Sequence, residues 1–330
     1  MSTILVATEI RQGELKSINI EVFTAAVKIA KEINLTTTAL LSGKNAASLA
    51  EIPAKYGIEN TVVVEDAKLE KYSPDCYAAA IAETARQKDA KVILMGATYT
   101  GKDLMSRAAQ ILDTALAQDC TAYRVEGGAL RFTRPMYAGK VRAEVRVASS
   151  PVMATFRAKT FKPEENPVTA KVEKLTLSLP EPLTVLEAIE TAAAGKLDVS
   201  EADLIVSGGR GMKDPNTPEG KENWANLEKL AELIGAATGC SRPVSDDGWR
   251  SHDEHIGQTG KTVSPLLYIS CAMSGAIQHL AGMSSSKCIV AINKDPEAPI
   301  FNAADYGIVG DIAQVLPAMI EEVKKLKARD

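Results

Sequence analysis

The three histidines of the chain, His252, His255 and His279, fall in one stretch of its last third, where glycines and hydroxyl residues also crowd. Ser207-Gly208-Gly209-Arg210-Gly211 directly follows the apolar run Leu204-Ile205-Val206. Glycines at the carboxyl end of a parallel strand let a phosphate approach the backbone, and Arg210 adds charge where a diphosphate could lie. A dinucleotide fingerprint is absent, because Asp214 stands where G-x-G-x-x-G needs its third glycine. Taken alone, a plain tight turn is the commoner explanation.

Gly257-Gln258-Thr259-Gly260-Lys261-Thr262 resembles the end of a P-loop, but His255 occupies the position of the first Walker glycine and no strand precedes it. That excludes an NTPase and leaves a compact loop whose amide and hydroxyl donors can hydrogen-bond a planar heteroaromatic ring. Ala272-Met273-Ser274-Gly275-Ala276-Ile277-Gln278-His279 follows the strand-like run Leu266 to Ser270. Ala272 and Ala276 flank the serine where a nucleophile elbow needs glycines, which disfavours a hydrolase. Instead a strand ends, Ser274-Gly275 turns, and a helix begins with free N–H groups suited to a diphosphate. His279, near that helix start, can donate to developing negative charge; the plainer reading is a capped helix with a partly buried imidazole. His252-Asp253-Glu254-His255 lacks a third metal ligand at standard spacing and reads as a solvated charged turn. Asn293 and Asp295 end another apolar run, either as contacts to a ribose or adenine edge or as ordinary turn chemistry.

The rest of the chain must position these segments. Its 330 residues suggest two domains, and 45% hydrophobic with 24% charged residues suits a globular fold. Lys+Arg 38 against Asp+Glu 42 leaves a net charge of −4, and aromatics are 5%, so nucleic-acid binding is disfavoured. No apolar run approaches the ~20 residues of a membrane span, so no direct membrane insertion is expected. Five scattered cysteines, none in a CxxC pair, suggest neither a disulfide framework nor a zinc site. The opening MSTILVATEI enters an apolar run at once. It reads as a first buried strand, of a cytosolic chain or one whose targeting peptide is gone.

In the first half, Ile4-Leu5-Val6-Ala7, Thr38 to Leu41, Thr61 to Val64 and Val92 to Met95 alternate with helical patterns. One helix is capped by Ser17 and carries Val22, Ala26, Ile29 and Ile33 on its apolar face; others lie near 74–88 and 102–117. Strands apolar throughout, separated by helices, mean a parallel sheet covered on both faces. Val141 to Val147 and Val152 to Arg157 alternate, as half-exposed antiparallel strands do. Residues from Phe161 to about Ser200, with four prolines and no period, read as the domain connection. Strand–helix alternation resumes at Leu204 and ends in a Lys-rich helix at about 312–327. The expected architecture is α/β: an N-terminal parallel-sheet scaffold over 1–195 and a C-terminal doubly wound, flavodoxin-like domain over 196–330. With no histidine and no Gly-rich phosphate turn, the first half reads as scaffold.

Together the chemical segments resemble the alpha subunit of electron transfer flavoproteins. The run LYISCAMSGAIQHLAGM, with SGGRGM, CSRPVSDDGW, GQTGKT and AINKDPEAPIFNAADYGIVGDI, carries the resemblance over about 204–312; over 1–200 it is looser. It implies a heterodimer with a beta subunit, one FAD held mainly by the second domain, and no chemistry on carbon substrates. Electrons would pass from acyl-CoA dehydrogenases of fatty acid beta-oxidation, or similar flavoenzymes, to a membrane quinone oxidoreductase. The compartment would be the bacterial cytoplasm, or the mitochondrial matrix for a processed chain. Arg210 matches an arginine near the FAD diphosphate, and Ser241 and Arg242 a pair beside the flavin ring. Ile256, Gly257, Gln258 and Thr259 match the loop along the ring edge, with Thr259 at N5. Ser274, Gly275, Ala276, Ile277, Gln278 and His279 match the diphosphate and ribityl contacts, with His279 near O2. Asn293, Asp311 and Ile312 match the adenosine end. In this reading Arg242 and His279 stabilise negative charge building toward N1 and O2. The chain departs from the common family pattern at His255, usually Gln, and at Ala272-Met273, usually Gly-Ile. Two other readings share the architecture: a bifurcating, NADH-dependent flavoprotein, and a non-redox nucleotide-binding module.

Overall fold

In the computed structural model, which describes residues 2–137, 139, 141–188 and 197–328, the apolar runs become the central strands of two parallel sheets. The chain divides into two units, 1–136 with 141–189 and 137–140 with 190–330. The expected boundary at 195/196 lies outside the described residues.

In the first unit β1 (Thr3–Ala7) leads through a small hairpin, β2 (Ile10–Arg11) and β3 (Glu14–Leu15), into α1 (Ser17–Ile33). There follow β4 (Thr36–Ser42), α2 (Ile52–Lys55), β5 (Asn60–Val64), α3 (Pro74–Gln87), β6 (Ala90–Gly96), α4 (Tyr99–Ile111) and β7 (Leu116–Cys120). β8 (Ala122–Glu126), β9 (Ala129–Met136) and β10 (Val141–Val145) form a separate antiparallel sheet. β11 (Val152–Phe156) and β12 (Lys171–Lys174) return to the main one. The main sheet runs β12-β5-β4-β1-β6-β11-β7, with every pair parallel. Val22, Phe23, Ala26 and Ile29 of α1 pack on one face, and Ile81, Leu104 and Met105 of α3 and α4 on the other. Both faces are covered, as continuous apolar strands require.

Three local expectations need correction. β11 is not an antiparallel, half-exposed strand: it is parallel, lies between β6 and β7, and buries Met153 to Phe156. Its one polar interior residue, Thr155, accepts the Asp119 N–H at 2.9 Å, which lets a hydroxyl sit where solvent was expected. Ser17 does not cap α1; Lys16 stands at that position and makes no capping bond to the first turn, and Asn19 Nδ2 instead donates to the Lys16 carbonyl at 2.8 Å. The segment from Phe161 is not only a connection. Its β12 pairs with β5, and Leu177 and Leu179 are buried against the sheet.

The second unit is built from β13 (Leu204–Gly208), α5 (Pro218–Ile234), β14 (Ala237–Cys240), α6 (Arg242–Asp246), β15 (Leu267–Cys271), α7 (Ile277–Met283), β16 (Ile289–Asn293), β17 (Tyr306–Val309) and α8 (Ile312–Lys327). Its sheet runs β14-β13-β15-β16-β17, all parallel: second, first, third, fourth, fifth in chain order. That is the flavodoxin-like order, whose direction of winding reverses between β13 and β15. Val206, Trp224, Leu227 and Leu316 fill one face, and Ile205, Tyr268, Met283 and Ile300 the other. Among the described residues no helix is long and apolar enough to cross a membrane.

Candidate functional site

Open α/β sheets bind ligands outside the carboxyl ends of the strands, at the point where winding reverses. In the second unit Arg210 follows β13, Ser241 and Arg242 follow β14, and Ser274 to His279 follow β15. Asn293 ends β16, and Asp311 and Ile312 follow β17. The fold thus brings the singled-out segments to one edge of one sheet.

The glycines of SGGRGM do something other than expected. Their N–H groups are spent: Gly209 donates to the Cys271 carbonyl at 2.8 Å and Gly211 to the Ala272 carbonyl at 3.2 Å. A Cβ on Gly209 would lie 2.4 Å from the Ala272 oxygen, so glycine lets the end of β13 close against the turn after β15. Phosphate would meet the Arg210 side chain rather than this backbone, and that side chain is 71% exposed.

After β15 the chain turns tightly. Ala272 holds φ +51 and Gly275 φ +83, and a Cβ on Gly275 would lie 2.3 Å from the Ile300 nitrogen. Ser274, Ala276, Ile277 and Gln278 are exposed while Gly275 and His279 are buried. Among the described residues, the backbone N–H groups of Gly275 to Gln278 have no protein acceptor. They are the unpaired donors that begin α7, and they carry its partial positive charge.

The loop after His255 is knitted to α7. Gln258 N–H donates to the Gln278 carbonyl at 2.7 Å, and Val263 N–H to the Gly282 carbonyl at 2.8 Å. A Cβ on Gly282 would stand 2.5 Å from the Gly257 nitrogen, so the two backbones touch. Ile256 and Gly257 are buried; Gln258 and Thr259 are exposed. Lys261 Nζ reaches Asp198 at 3.1 and 3.2 Å, so this lysine anchors the loop and does not face a phosphate, in keeping with the rejected P-loop. Arg242 is 61% exposed beside Asp246 at 3.1 Å, a surface contact too weak to hold the guanidinium in place. The buried Ser241 precedes α6.

Other singled-out residues have their side chains engaged within the chain. His279 is 5% exposed, and both its ring nitrogens meet protein groups, Nδ1 the Ile256 carbonyl at 2.9 Å and Nε2 the Tyr268 hydroxyl at 3.0 Å. Burial pushes its pKa down to about 4, so it is neutral and offers no free N–H. Asn293 Nδ2 donates to the Met273 carbonyl at 2.8 Å, and its Oδ1 accepts the Asp295 N–H at 3.0 Å, the ordinary turn alternative. Asp311 caps α8 by accepting the Ala313 N–H at 2.9 Å, and Ile312 is core. The Asn293 carbonyl also accepts the Gly310 N–H at 3.0 Å, so a ligand here would meet chiefly the backbone N–H groups of Asp311 and Ile312.

The sequence His252 to His255 is only half a solvated turn. His252 and Asp253 are exposed, whereas Glu254 and His255 are buried. Arg250, which sequence reading missed, makes that possible: its Nε lies 2.6 Å from Glu254 Oε2, Nη2 bonds Thr238 at 3.1 Å, and the guanidinium sits 5.3 Å over the Trp224 ring. An Arg four residues before a Glu was the available signal. Burial depresses the His255 pKa despite nearby Asp246. No group of three or more metal-ligating side chains occurs among the described residues.

An exposed rim of Arg210, Arg242, Gln258, Thr259 and the Ser274–Gln278 turn therefore lies over a buried floor of Ile256, Gly257, Gly275 and His279. Two cations, a row of unpaired N–H groups and a hydroxyl suit a long anionic ligand with a planar polar end.

Comparison with known proteins gives a family for each part of the chain. Residues 4–180 match the electron transfer flavoprotein domain family, and residues 198–284 the electron transfer flavoprotein FAD-binding domain family. The chain is 41% identical to the electron transfer flavoprotein subunit alpha of Bacillus subtilis, with 98% of each chain covered. It is 38% identical to the protein FixB of Clostridium saccharobutylicum (97% and 96% covered). It is 35% identical to the probable mitochondrial electron transfer flavoprotein subunit alpha of Caenorhabditis elegans (97% and 93% covered).

Proposed function

The chain belongs to the electron transfer flavoprotein alpha-subunit family, an FAD-binding electron carrier rather than a substrate-converting enzyme, and from that premise we propose how it works. One FAD lies along the carboxyl edge of the second unit's sheet. Arg210 and the N–H groups of Gly275 to Gln278 take the diphosphate. Arg242, beside Ser241, and the Ile256–Thr259 loop take the ring, and the ends of β16 and β17, at Asn293, Asp311 and Ile312, take the adenosine. The donor set fits such a group: two exposed guanidinium groups and, among the described residues, the unpaired backbone donors of Gly275 to Gln278.

When bound, FAD supplies reversible uptake of electrons. The protein's share is electrostatic and geometric. Arg242, held only by a surface carboxylate, is free to turn its charge toward the ring. Thr259 offers a hydroxyl at the loop tip, and the packed floor excludes water beneath. A fixed positive charge next to a group that gains electrons raises its affinity for them.

The chain pairs with a beta subunit, takes electrons from acyl-CoA dehydrogenases or similar flavoenzymes and passes them to a membrane quinone oxidoreductase. It works in a reducing compartment, the bacterial cytoplasm or the mitochondrial matrix, where its five free cysteines stay thiols. The observation that carries the reading is the open, donor-lined edge at the reversal between β13 and β15. The test is the visible spectrum of the chain purified with its partner: one FAD per heterodimer is expected. A colourless complex would overturn the cofactor site, and two FADs reducible by NADH would replace the simple carrier with a bifurcating one.

A further inference from the structure

Beneath the rim one buried side chain joins the three segments that form the floor. His279 sits in the first turn of α7, Ile256 begins the ring-edge loop, and Tyr268 is the second residue of β15, with no exposed surface. A carbonyl oxygen only accepts, so the 2.9 Å contact from Nδ1 to Ile256 puts the imidazole proton on Nδ1. In neutral His279, Nε2 is then a bare acceptor, and the Tyr268 hydroxyl at 3.0 Å is its donor. The reverse tautomer would face two lone pairs at Ile256 and leave a buried carbonyl unpaired.

We propose that Tyr268 is a positioning residue of this site: by donating to His279 Nε2 it fixes the Nδ1–H tautomer, and through it the spacing between the ring-edge loop and α7. Three features support this role. The phenol is fully buried, so its hydroxyl has no water to turn to, and the neighbouring Ser207 hydroxyl acts on it as a donor, which leaves the phenol proton for Nε2. The histidine–Ile256 bond runs alongside the backbone bond from Gln258 to Gln278, so losing it loosens two ligand segments together. The charged and titratable groups around the imidazole are few: His255 on the loop acts on it directly, and His255 in turn faces Arg242 and Asp246 of α6 and His252. None of them can supply the missing donor to Nε2. His279 is thereby a strut between ligand-bearing segments.

The inference rests on the reading of this edge as the FAD site, while its test reads the imidazole itself. The heterodimer labelled with ¹⁵N-histidine is titrated by NMR, the His279 signals being those lost in His279→Gln. In the unsubstituted protein the proton is expected on Nδ1, with Nε2 bare and hydrogen-bonded at neutral pH. In Tyr268→Phe the neutral form loses its donor, and the His279 pKa should rise by about half to one pH unit, the equivalent of one hydrogen bond. A purely space-filling Tyr268 would leave both readings unchanged. A proton on Nε2 in the unsubstituted protein, or an unmoved pKa in Tyr268→Phe, overturns the proposal. Should the variant fail to fold, the tautomer of the unsubstituted protein still decides. The visible spectrum of the same samples reports FAD content separately, so a colourless complex would end the cofactor reading without touching this one.

Discussion

Two parallel sheets in one chain meet the same topological situation and resolve it oppositely. In the first unit β1 lies between β4 and β6, and the chain reverses its winding there, as it does between β13 and β15 in the second. Yet the first crevice is filled by its own chain. Ile18 is buried against the end of β6, where a Cβ on Gly96 would lie 2.6 Å from the Ile18 Cδ1. Asn19 bonds both the N–H and the carbonyl of Glu9, and the Glu9 carboxylate takes the Thr98 hydroxyl at 2.5 Å. Thr98 also caps α4. Glu21, buried, accepts N–H groups from Lys159 and Thr160 at 2.9 and 3.0 Å. Donors and acceptors are consumed internally, and the carboxylates of Glu9 and Glu21 make the reversal acidic. In the second unit the corresponding edge keeps the N–H groups of Gly275 to Gln278 unpaired among the described residues and exposes the guanidinium groups of Arg210 and Arg242. Topology supplies a crevice; the loops decide whether it is a site or a plug.

The contrast can be broken most severely at Gly275. Valine there needs a Cβ at φ +83 and 2.3 Å from the Ile300 nitrogen, so it should cost about 3 kcal/mol or more and abolish FAD retention, read by thermal melts and flavin content. Acid should act on the same floor. His279 has its pKa lowered to about 4 from an ordinary 6.5, so the unfolded chain binds the extra proton between those values. Stability is full above about pH 6.5 and falls by about 3 kcal/mol toward pH 4, a loss that His279→Gln should largely remove in urea titrations across pH. A matched pair sharpens the comparison further. Ile18→Ala should cost about 2 kcal/mol of stability by leaving a cavity yet leave FAD content unchanged. Arg242→Ala should weaken FAD binding by about tenfold, measured by fluorescence titration, with little change in melting temperature. The smallest effect is a gain. Ala272 holds φ +51, so Ala272→Gly should stabilise the chain by about 0.5–1 kcal/mol, seen as a raised denaturant midpoint.

Sequence reading reached far in the second unit because its signals are local. Apolar runs such as Ile289 to Ile292 became strands, and the Lys-rich pattern at 312–327 became α8. The segments at Arg210, Ser274 to His279 and Asn293 each followed an apolar run, and a parallel sheet puts all such ends on one edge. What failed was decided by partners distant in sequence. β11 reads as a half-exposed antiparallel strand until Thr155 meets Asp119, and Lys171 to Lys174, exposed and charged even in the fold, is a strand only because β5 offers it a ladder. Glu254 looks solvated although Arg250 stands four residues before it, because nothing local announces that Trp224, on a distant helix, stacks under that guanidinium. His279 looked like a free donor; Tyr268, eleven residues earlier on a strand, removes that freedom.

The central claim is that the second unit's edge is the site and the first unit's is not. Hydrogen–deuterium exchange on the heterodimer, with FAD removed and then restored, tests it directly. Restored FAD should slow exchange at Gly275 to Gln278 and at Gly257 to Thr259, while Thr8 to Ile18 and Ala97 to Gly101 exchange as before. Protection confined to the first unit, or none at Gly275 to Gln278, would contradict the account.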